Sequence, residues 1–129
     1  MQTYSQILTV GENHLDDNQH VNNVQYVEWV QEISKNHWEF AVDEKSRKDL
    51  VWVVKNHNIS YHRPAFLNEE LKLSTYIKET KGPLSIRVVE ISNNKTSQLL
   101  VKAITEWCLL DAASLKPKRV PEAIQQLFK

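Results

Sequence analysis

The sequence of 129 residues is poor in several residue types, and each shortage excludes a class of site. Its one cysteine, Cys108, cannot form a disulfide within the chain, which favours a reducing, cytoplasmic setting. Its two glycines are too few for a glycine-rich loop that cradles phosphate groups. Sixteen basic and sixteen acidic residues balance, and no basic block indicates nucleic acid or an anionic membrane surface as a partner.

Long apolar runs are also missing. No stretch reaches the ~18 apolar residues that span a bilayer, and residues 1–5 are not a basic region leading into an apolar run. We therefore expect no membrane association. The histidines are His14, His20, His37, His57 and His62. Their spacing is not that of a zinc site, so we expect no metal, and the apolar surroundings of Cys108 indicate a structural thiol.

The hydrophobic pattern predicts one long helix and five strands. The strands are predicted at residues 4–10, 50–61, 71–77, 84–91 and 99–110, with a short amphipathic helix within residues 117–129. The turns between most strands are short, which implies antiparallel neighbours. The order of elements predicts an α+β fold in one domain, residues 1–129, with a curved antiparallel sheet around one central helix.

Two finer expectations concern the long helix and the second strand. The helix is predicted to begin after Asn22 or Asn23, either of which can cap it, and to end near Asn36. Its apolar residues from Val24 onward cover most of its circumference, so it should be largely buried. In the second strand, four apolar residues share a parity and are predicted to share a face: Val51, Val53, Ile59 and Tyr61.

A polar loop directly before the helix carries most of the reactive groups. Asp16, Asn18 and His20 precede a helix start, where backbone N–H groups are unpaired. Acyl transfer needs a base or nucleophile together with donors for an oxyanion, and this loop offers both. Each residue also has a purely structural interpretation. Asp16 and Asn18 are common turn residues, and His20 can assist proton transfer or instead cap the helix or fill the core.

The residues of this loop match a known family signature. The run Asp16-x-Asn18-x-His20-Val21-Asn22-Asn23-x-x-Tyr26-x-x-Trp29 resembles that of acyl-acyl-carrier-protein (acyl-ACP) thioesterases. The resemblance continues at residues 59–65, 103–111 and 118–121. The chain is also similar to small single-domain bacterial thioesterases of the 4-hydroxybenzoyl-CoA type, which carry an aspartate before the central helix and a tyrosine within it. Both families have the hotdog fold, in which a sheet wraps a central helix.

The resemblance implies an enzyme that hydrolyses acyl-ACP or acyl-CoA thioesters without a metal or cofactor. Coenzyme A or phosphopantetheine enters only as part of the substrate. Asp16 would act as base or nucleophile, Asn18 and His20 would support it, and the backbone N–H of Asn23 would bind the oxyanion. Three residues are predicted to bind substrate: Tyr26 and Trp29 beside the acyl chain, and Arg63 at a phosphate of coenzyme A or phosphopantetheine. Tyr26 and Trp29 otherwise fill the core, and Arg63 otherwise makes a surface salt bridge.

The chain departs from the plant enzymes at two positions. Those enzymes place a glutamate and a cysteine after the tyrosine–arginine segment, whereas Pro64 and Ala65 stand here. Neither can do acid–base or nucleophilic work, so the chemistry must centre on the Asp16 loop. The plant enzymes also have two tandem hotdog domains. A chain long enough for one therefore implies a homodimer, or a dimer of dimers, with acyl sites at the subunit interface.

Two other functions remain open at this point. The first is a hotdog domain that binds acyl thioesters without cleaving them. The second is a hydratase or dehydratase, which uses a different aspartate–histidine arrangement from the one in this loop.

Overall fold

The computed structural model describes all 129 residues as five strands and three helices, with a 3-10 turn at Glu12–His14. In chain order the elements are β1 (Tyr4–Thr9), α1 (Asn23–Ala41), α2 (Glu44–Arg47), β2 (Leu50–Tyr61), β3 (Glu70–Lys81), β4 (Leu84–Asn93), β5 (Leu99–Asp111) and α3 (Glu122–Gln126). None of the helices has the length and hydropathy needed to cross a bilayer.

The five strands form one antiparallel sheet in the order β1-β3-β4-β5-β2, and α1 packs on the sheet against β1, β3 and β4. This confirms the predicted α+β class. Apolar residues of α1 meet inward-facing residues of the strands in the main core, and the buried α1 side chains are Tyr26, Trp29, Val30, Ile33, Ser34 and His37. Strands β1 and β2 form the two edges of the sheet, so each has one side without a strand partner.

Helix α1 continues beyond its predicted end near Asn36, reaching Ala41. Residues 37–41 contain no glycine or proline to stop it, and His37 and Trp38 pack against residues distant in sequence. Tertiary packing therefore extends the helix past the point where local propensity weakens. The expectation that the apolar residues of α1 are largely buried is wrong at Val24, which is 64% exposed in the first turn.

The prediction that four apolar residues of β2 share a face is also wrong. The register of β2 against β5 shifts between Val54 and Asn56, which is a β-bulge. Val51 and Val53 are 37% and 39% exposed, whereas Ile59, beyond the bulge, packs against the main core. The extra residue reverses the parity of the strand, which a pattern of alternating residues cannot show.

The C-terminal segment closes a second, smaller core. Ile124 and Phe128 are buried there with Leu109, whereas Leu127 is 43% exposed although its apolar character suggested burial. Cys108 is a buried free thiol whose Sγ lies 3.8 Å from the carbonyl oxygen of Leu109.

Candidate active site

Asp16 lies in a closed turn just before α1. Its Oδ1 accepts the backbone N–H groups of Asn18 at 2.9 Å and His20 at 3.2 Å, and its own N–H donates to the His20 carbonyl at 2.8 Å. Gln19 completes the turn with φ of 63° and donates its N–H to the Asp16 carbonyl at 3.1 Å. No protein donor reaches Oδ2. The Asx turn is therefore present, and it leaves Oδ2 of the carboxylate available for chemistry.

The helix start that follows is capped by Asn22, one of the two residues predicted for this role. Its side-chain oxygen accepts the N–H of Val24 at 2.9 Å, and its carbonyl accepts that of Gln25 at 2.9 Å. The N–H of Asn23 has no acceptor in the protein. A backbone donor thus remains free at the positive end of the α1 dipole, the position predicted for the oxyanion donor.

The other predicted catalytic side chains lie on the same turn. Asn18 is exposed and its amide group makes no hydrogen bond with the protein. His20 is half-buried, its backbone pairs with Phe66, and the two rings meet edge to face with centroids 5.0 Å apart. Asp17 is exposed. The structure therefore brings Asp16, Asn18 and His20 together on one short turn.

The residues predicted to bind substrate are divided between core and surface. Tyr26 is 3% exposed, and its hydroxyl accepts the N–H of Ala65 at 3.1 Å, which ties α1 to the segment after β2. Burial raises the pKa of this hydroxyl, so it stays protonated and keeps a proton to donate. Trp29 is buried edge-on against Tyr26 and His14. Arg63 is exposed. Contact of these residues with substrate stays a prediction.

A second polar cluster, absent from the sequence-based expectations, lies in the other half of the molecule. The buried Arg87 donates from Nη1 to Nδ1 of His37 at 2.8 Å and to Oγ1 of Thr75 at 2.9 Å. His37 in turn bonds Oε1 of Gln2 through Nε2 at 2.9 Å, which fits the neutral Nε2–H tautomer. The sequence does carry a signal for this cluster, because Arg87 has the same strand parity as the buried Val89 and Ile91.

Arg87 also lines a cavity of about 510 Å³ between α1, α3 and the sheet. The residues around it are Gln31, Ser34, Lys35, Trp38, Leu50, Trp52, Val53, Val54, Ile77, Thr80, Ser85, Arg87, Trp107, Val120, Ile124, Gln125 and Phe128. Such a volume is typical of a small-molecule site. The histidine, cysteine, aspartate and glutamate side chains form no group of three or more that could hold a metal ion.

Comparison with known proteins agrees with the predicted resemblance. Residues 2–128 match the family described as the acyl-ACP thioesterase N-terminal domain. The long-chain acyl-CoA thioesterase FadM of Escherichia coli is 29% identical over 125 residues, which cover 90% of this chain and 92% of FadM.

Solved structures show the same fold. The probable thioesterase YbaW from Escherichia coli superposes with a TM-score of 0.86 at 25% identity, covering 95% of this chain and 94% of that one. A 4-hydroxybenzoyl-CoA thioesterase complexed with 4-hydroxybenzoyl-CoA superposes with a TM-score of 0.90 at 16% identity over the whole of both chains. The chain belongs to the acyl-ACP thioesterase family and is a thioester hydrolase of the hotdog fold.

Proposed function

We propose that residues 1–129 act as one hotdog domain that hydrolyses acyl-CoA or acyl-ACP thioesters to a free acid and a thiol, with Asp16 as the catalytic carboxylate. The observation that carries this proposal is the state of the Asp16 side chain. One oxygen is fixed by two backbone N–H groups and the other is free, next to a helix start with an unpaired N–H.

The chemistry requires attack on the thioester carbonyl carbon. Oδ2 of Asp16 either takes a proton from the attacking water or attacks the carbon itself to give a mixed anhydride that water then cleaves. In both routes the carbonyl oxygen becomes negative and accepts the N–H of Asn23. In the first route the thiolate leaves with the proton that Asp16 took from the water. In the second the leaving thiolate takes a proton from solvent, and the water that opens the anhydride restores the Asp16 carboxylate. Asn18 and His20 support the carboxylate from the same turn. No metal or cofactor takes part, because the carboxylate itself supplies the base or nucleophile.

The proposal includes a homodimer, or a dimer of such dimers, with sites built from two subunits. Strand β2 has 12 residues and no strand partner on its outer side, and Val51 and Val53 within it are exposed. Long unpaired edges favour pairing with another chain. Antiparallel pairing of two β2 strands around a twofold axis places the N-terminal end of one strand beside the C-terminal end of the other.

This pairing has a consequence for the site. The N-terminal end of β2, at residues 50–54, lines the cavity that contains Arg87. Its C-terminal end lies against the start of α1, where the rings of Tyr61 and Tyr26 are 5.8 Å apart and Ala65 accepts the N–H of Val21. The cavity of one subunit would therefore face the Asp16 loop of the other. The acyl chain would enter the cavity while the thioester stays at the loop.

Other parts of the proposal concern the thiol portion and the cellular setting. Coenzyme A and the carrier protein present the same phosphopantetheine thioester, whose phosphate would meet the exposed Arg63. We place the protein in the cytoplasm, where its single buried thiol, Cys108, would stay reduced. We assign it no nucleic-acid or membrane partner, in line with its balanced charge.

The test is thiol release from matched acyl-CoA and acyl-ACP substrates of short, medium and long chain length. We expect turnover by the wild type and a loss of about 10²-fold or more in Asp16→Ala, the scale of a missing catalytic group. Asp17→Ala is the matched control, because this neighbouring carboxylate is exposed and is expected to be dispensable. A folded Asp16→Ala protein with wild-type turnover would refute the assignment. Thioester binding without thiol release would instead indicate a binding module.

A further inference from the structure

Arg87 is a buried cation without an anionic partner. It is 5% exposed, and the two acceptors of its Nη1, His37 and Thr75, are uncharged groups. Burial and the charge of Arg87 lower the pKa of His37 to about 4, so this imidazole is neutral near pH 7. A guanidinium has five N–H donors, and only Nη1 is used here. Burying an unpaired charge is costly, so an anionic partner at the free side of the guanidinium would stabilise it.

The cavity next to Arg87 has an excess of positive charge. Of the residues that line it, Lys35 and Arg87 are cationic and none is acidic. The remaining wall is mainly apolar and aromatic. A ligand that fits this wall therefore has an apolar body and an acceptor, best an anion, at the end that reaches Arg87.

The position of the cavity relative to the catalytic loop sets which part of the ligand enters. Within one subunit the cavity is remote from the loop. Ser34 on the cavity wall lies eleven residues beyond Asn23 of the same chain, which is about 16 Å along the helix axis. The paired β2 strands of the proposed function bring the cavity to the partner's loop, and the inference rests on that proposed function. The group that reaches Arg87 is then the far end of the acyl chain, remote from the thioester.

We propose that this cavity selects acyl groups that end in a carboxylate, so that the preferred substrates are thioesters of dicarboxylic acids. The methylene groups would pack against the aromatic wall, and the distal carboxylate would pair with the free side of the Arg87 guanidinium, whose fork matches a carboxylate in two-point contact. An acyl chain ending in methyl would leave the buried cation unpaired. Selectivity for the charged end would follow from that difference.

The test compares CoA thioesters of equal length that differ only at the far end, such as octanoyl-CoA and 7-carboxyheptanoyl-CoA, in a series from four to ten carbons. For each length the ratio of kcat/KM for the carboxylate-ended over the methyl-ended substrate is measured in wild type and in Arg87→Met. The matched control is Arg119→Met, the same substitution at an exposed arginine that does not line the cavity.

We expect the wild type to favour the carboxylate end at least 10-fold at one or more lengths. Arg87→Met should lose this preference through a higher KM for the charged substrate, while Arg119→Met keeps it. A wild type that favours methyl-ended chains at every length, or an Arg87→Met protein that keeps the preference, overturns the proposal. If Arg87→Met does not fold, the wild-type ratio alone decides.

A binding measurement separates this inference from the proposed hydrolysis. The shift in Tm of the wild-type protein is measured with free octanoate and with octanamide, which has the same chain and an uncharged end. A shift with octanoate that is absent with octanamide and disappears in Arg87→Met supports the anion site, even if no thioester is cleaved and the proposed function fails. Equal shifts with the acid and the amide, or none with the acid, contradict the anion site whatever the outcome of the turnover assay.

Discussion

At the scale of single residues, Asp16 shows how a structural and a catalytic interpretation hold together. The sequence predicted either an Asx turn or a catalytic carboxylate. The turn is present and uses Oδ1 for two backbone N–H groups, while Oδ2 has no protein donor. The two interpretations therefore concern different atoms of one side chain. Sequence alone could place the residue in the loop but could not assign its two oxygens.

This division predicts that Asp16→Asn separates the fold of the loop from its chemistry. The amide oxygen can still accept the N–H groups of Asn18 and His20, so the free energy of unfolding should stay within about 0.5 kcal/mol of wild type. The uncharged amide is a poor base and nucleophile, so turnover should fall about 10²-fold or more. Urea unfolding and thiol release measure the two effects. If Asp16→Asn were as active as wild type, the negative charge of Asp16 would not be needed for the reaction.

The burial of Arg87 can be predicted from the sequence, but its hydrogen-bond partners cannot. Strand parity placed it on the buried face with Val89 and Ile91, and that much was available from the sequence. Its partners, His37 and Thr75, are 50 and 12 residues away in the chain. No local spacing connects these residues, so the cluster becomes visible only when α1 lies across β3 and β4.

The same cluster predicts a dependence of stability on pH. The pKa of His37 falls from 6.5 to about 4 on folding, because burial and the nearby Arg87 charge disfavour the imidazolium. The pKa of Arg87 is about 10, so its charge stays constant below neutral pH. Between pH 6.5 and 4 the unfolded chain binds more protons at this histidine than the folded protein. Stability is therefore retained above this window and falls by about 3 kcal/mol as pH drops through it.

The contribution of His37 is isolated by comparison with His37→Gln. Glutamine can still bond Gln2 or Arg87 but does not titrate, so the variant should lack this part of the acid sensitivity. The free energy of unfolding of both proteins is measured by urea titration at several pH values from 7 to 4. The difference between their slopes cancels the carboxylates common to both. Parallel curves would show that His37 is protonated without cost in the folded state.

At the scale of elements, α1 connects the proposed catalytic loop to the cavity. The sequence predicted its start correctly because asparagine caps have a local signature, whereas its end was predicted five residues early. The residues beyond the predicted end are held in the helix by the packing of Trp38 against Trp52 and Phe128, which are distant in sequence. The bulge in β2 escaped prediction for a related reason, since it is defined by register against β5.

The cap itself predicts unequal effects for two adjacent asparagines. Asn22→Ala removes the acceptor of the Val24 N–H and should lower the free energy of unfolding by about 1 kcal/mol. Asn23→Ala leaves both the cap and the backbone N–H in place, so its stability and turnover should stay close to wild type. Thermal unfolding and thiol release of the two variants test this. A large loss of turnover in Asn23→Ala would assign chemistry to the side chain rather than to the backbone donor.

At the scale of the whole molecule, the proposed dimer raises the question of which subunit completes each site. One chain holds the Asp16 loop and the cavity at different ends of α1, and antiparallel pairing of β2 would join the loop of one copy to the cavity of the other. Neither periodicity nor local motifs can predict this arrangement, because it depends on a surface formed only after folding. Two variants can inactivate the two halves of a shared site one at a time. Asp16→Ala removes the carboxylate, and Ser34→Phe fills the cavity with an aromatic ring.

We expect each variant to be inactive alone on substrates whose acyl chains need the cavity. A purified heterodimer with one variant in each subunit should regain about half of the wild-type activity, because one of its two shared sites then has both intact halves. The control is a heterodimer of the double variant Asp16→Ala/Ser34→Phe with wild type. Each of its shared sites then contains one altered half, so it should be inactive. If each subunit worked with its own loop and cavity, the heterodimer of the two single variants would be inactive and the heterodimer with wild type would keep about half of the activity. Thiol release from differently tagged, co-expressed pairs therefore decides between shared and independent sites.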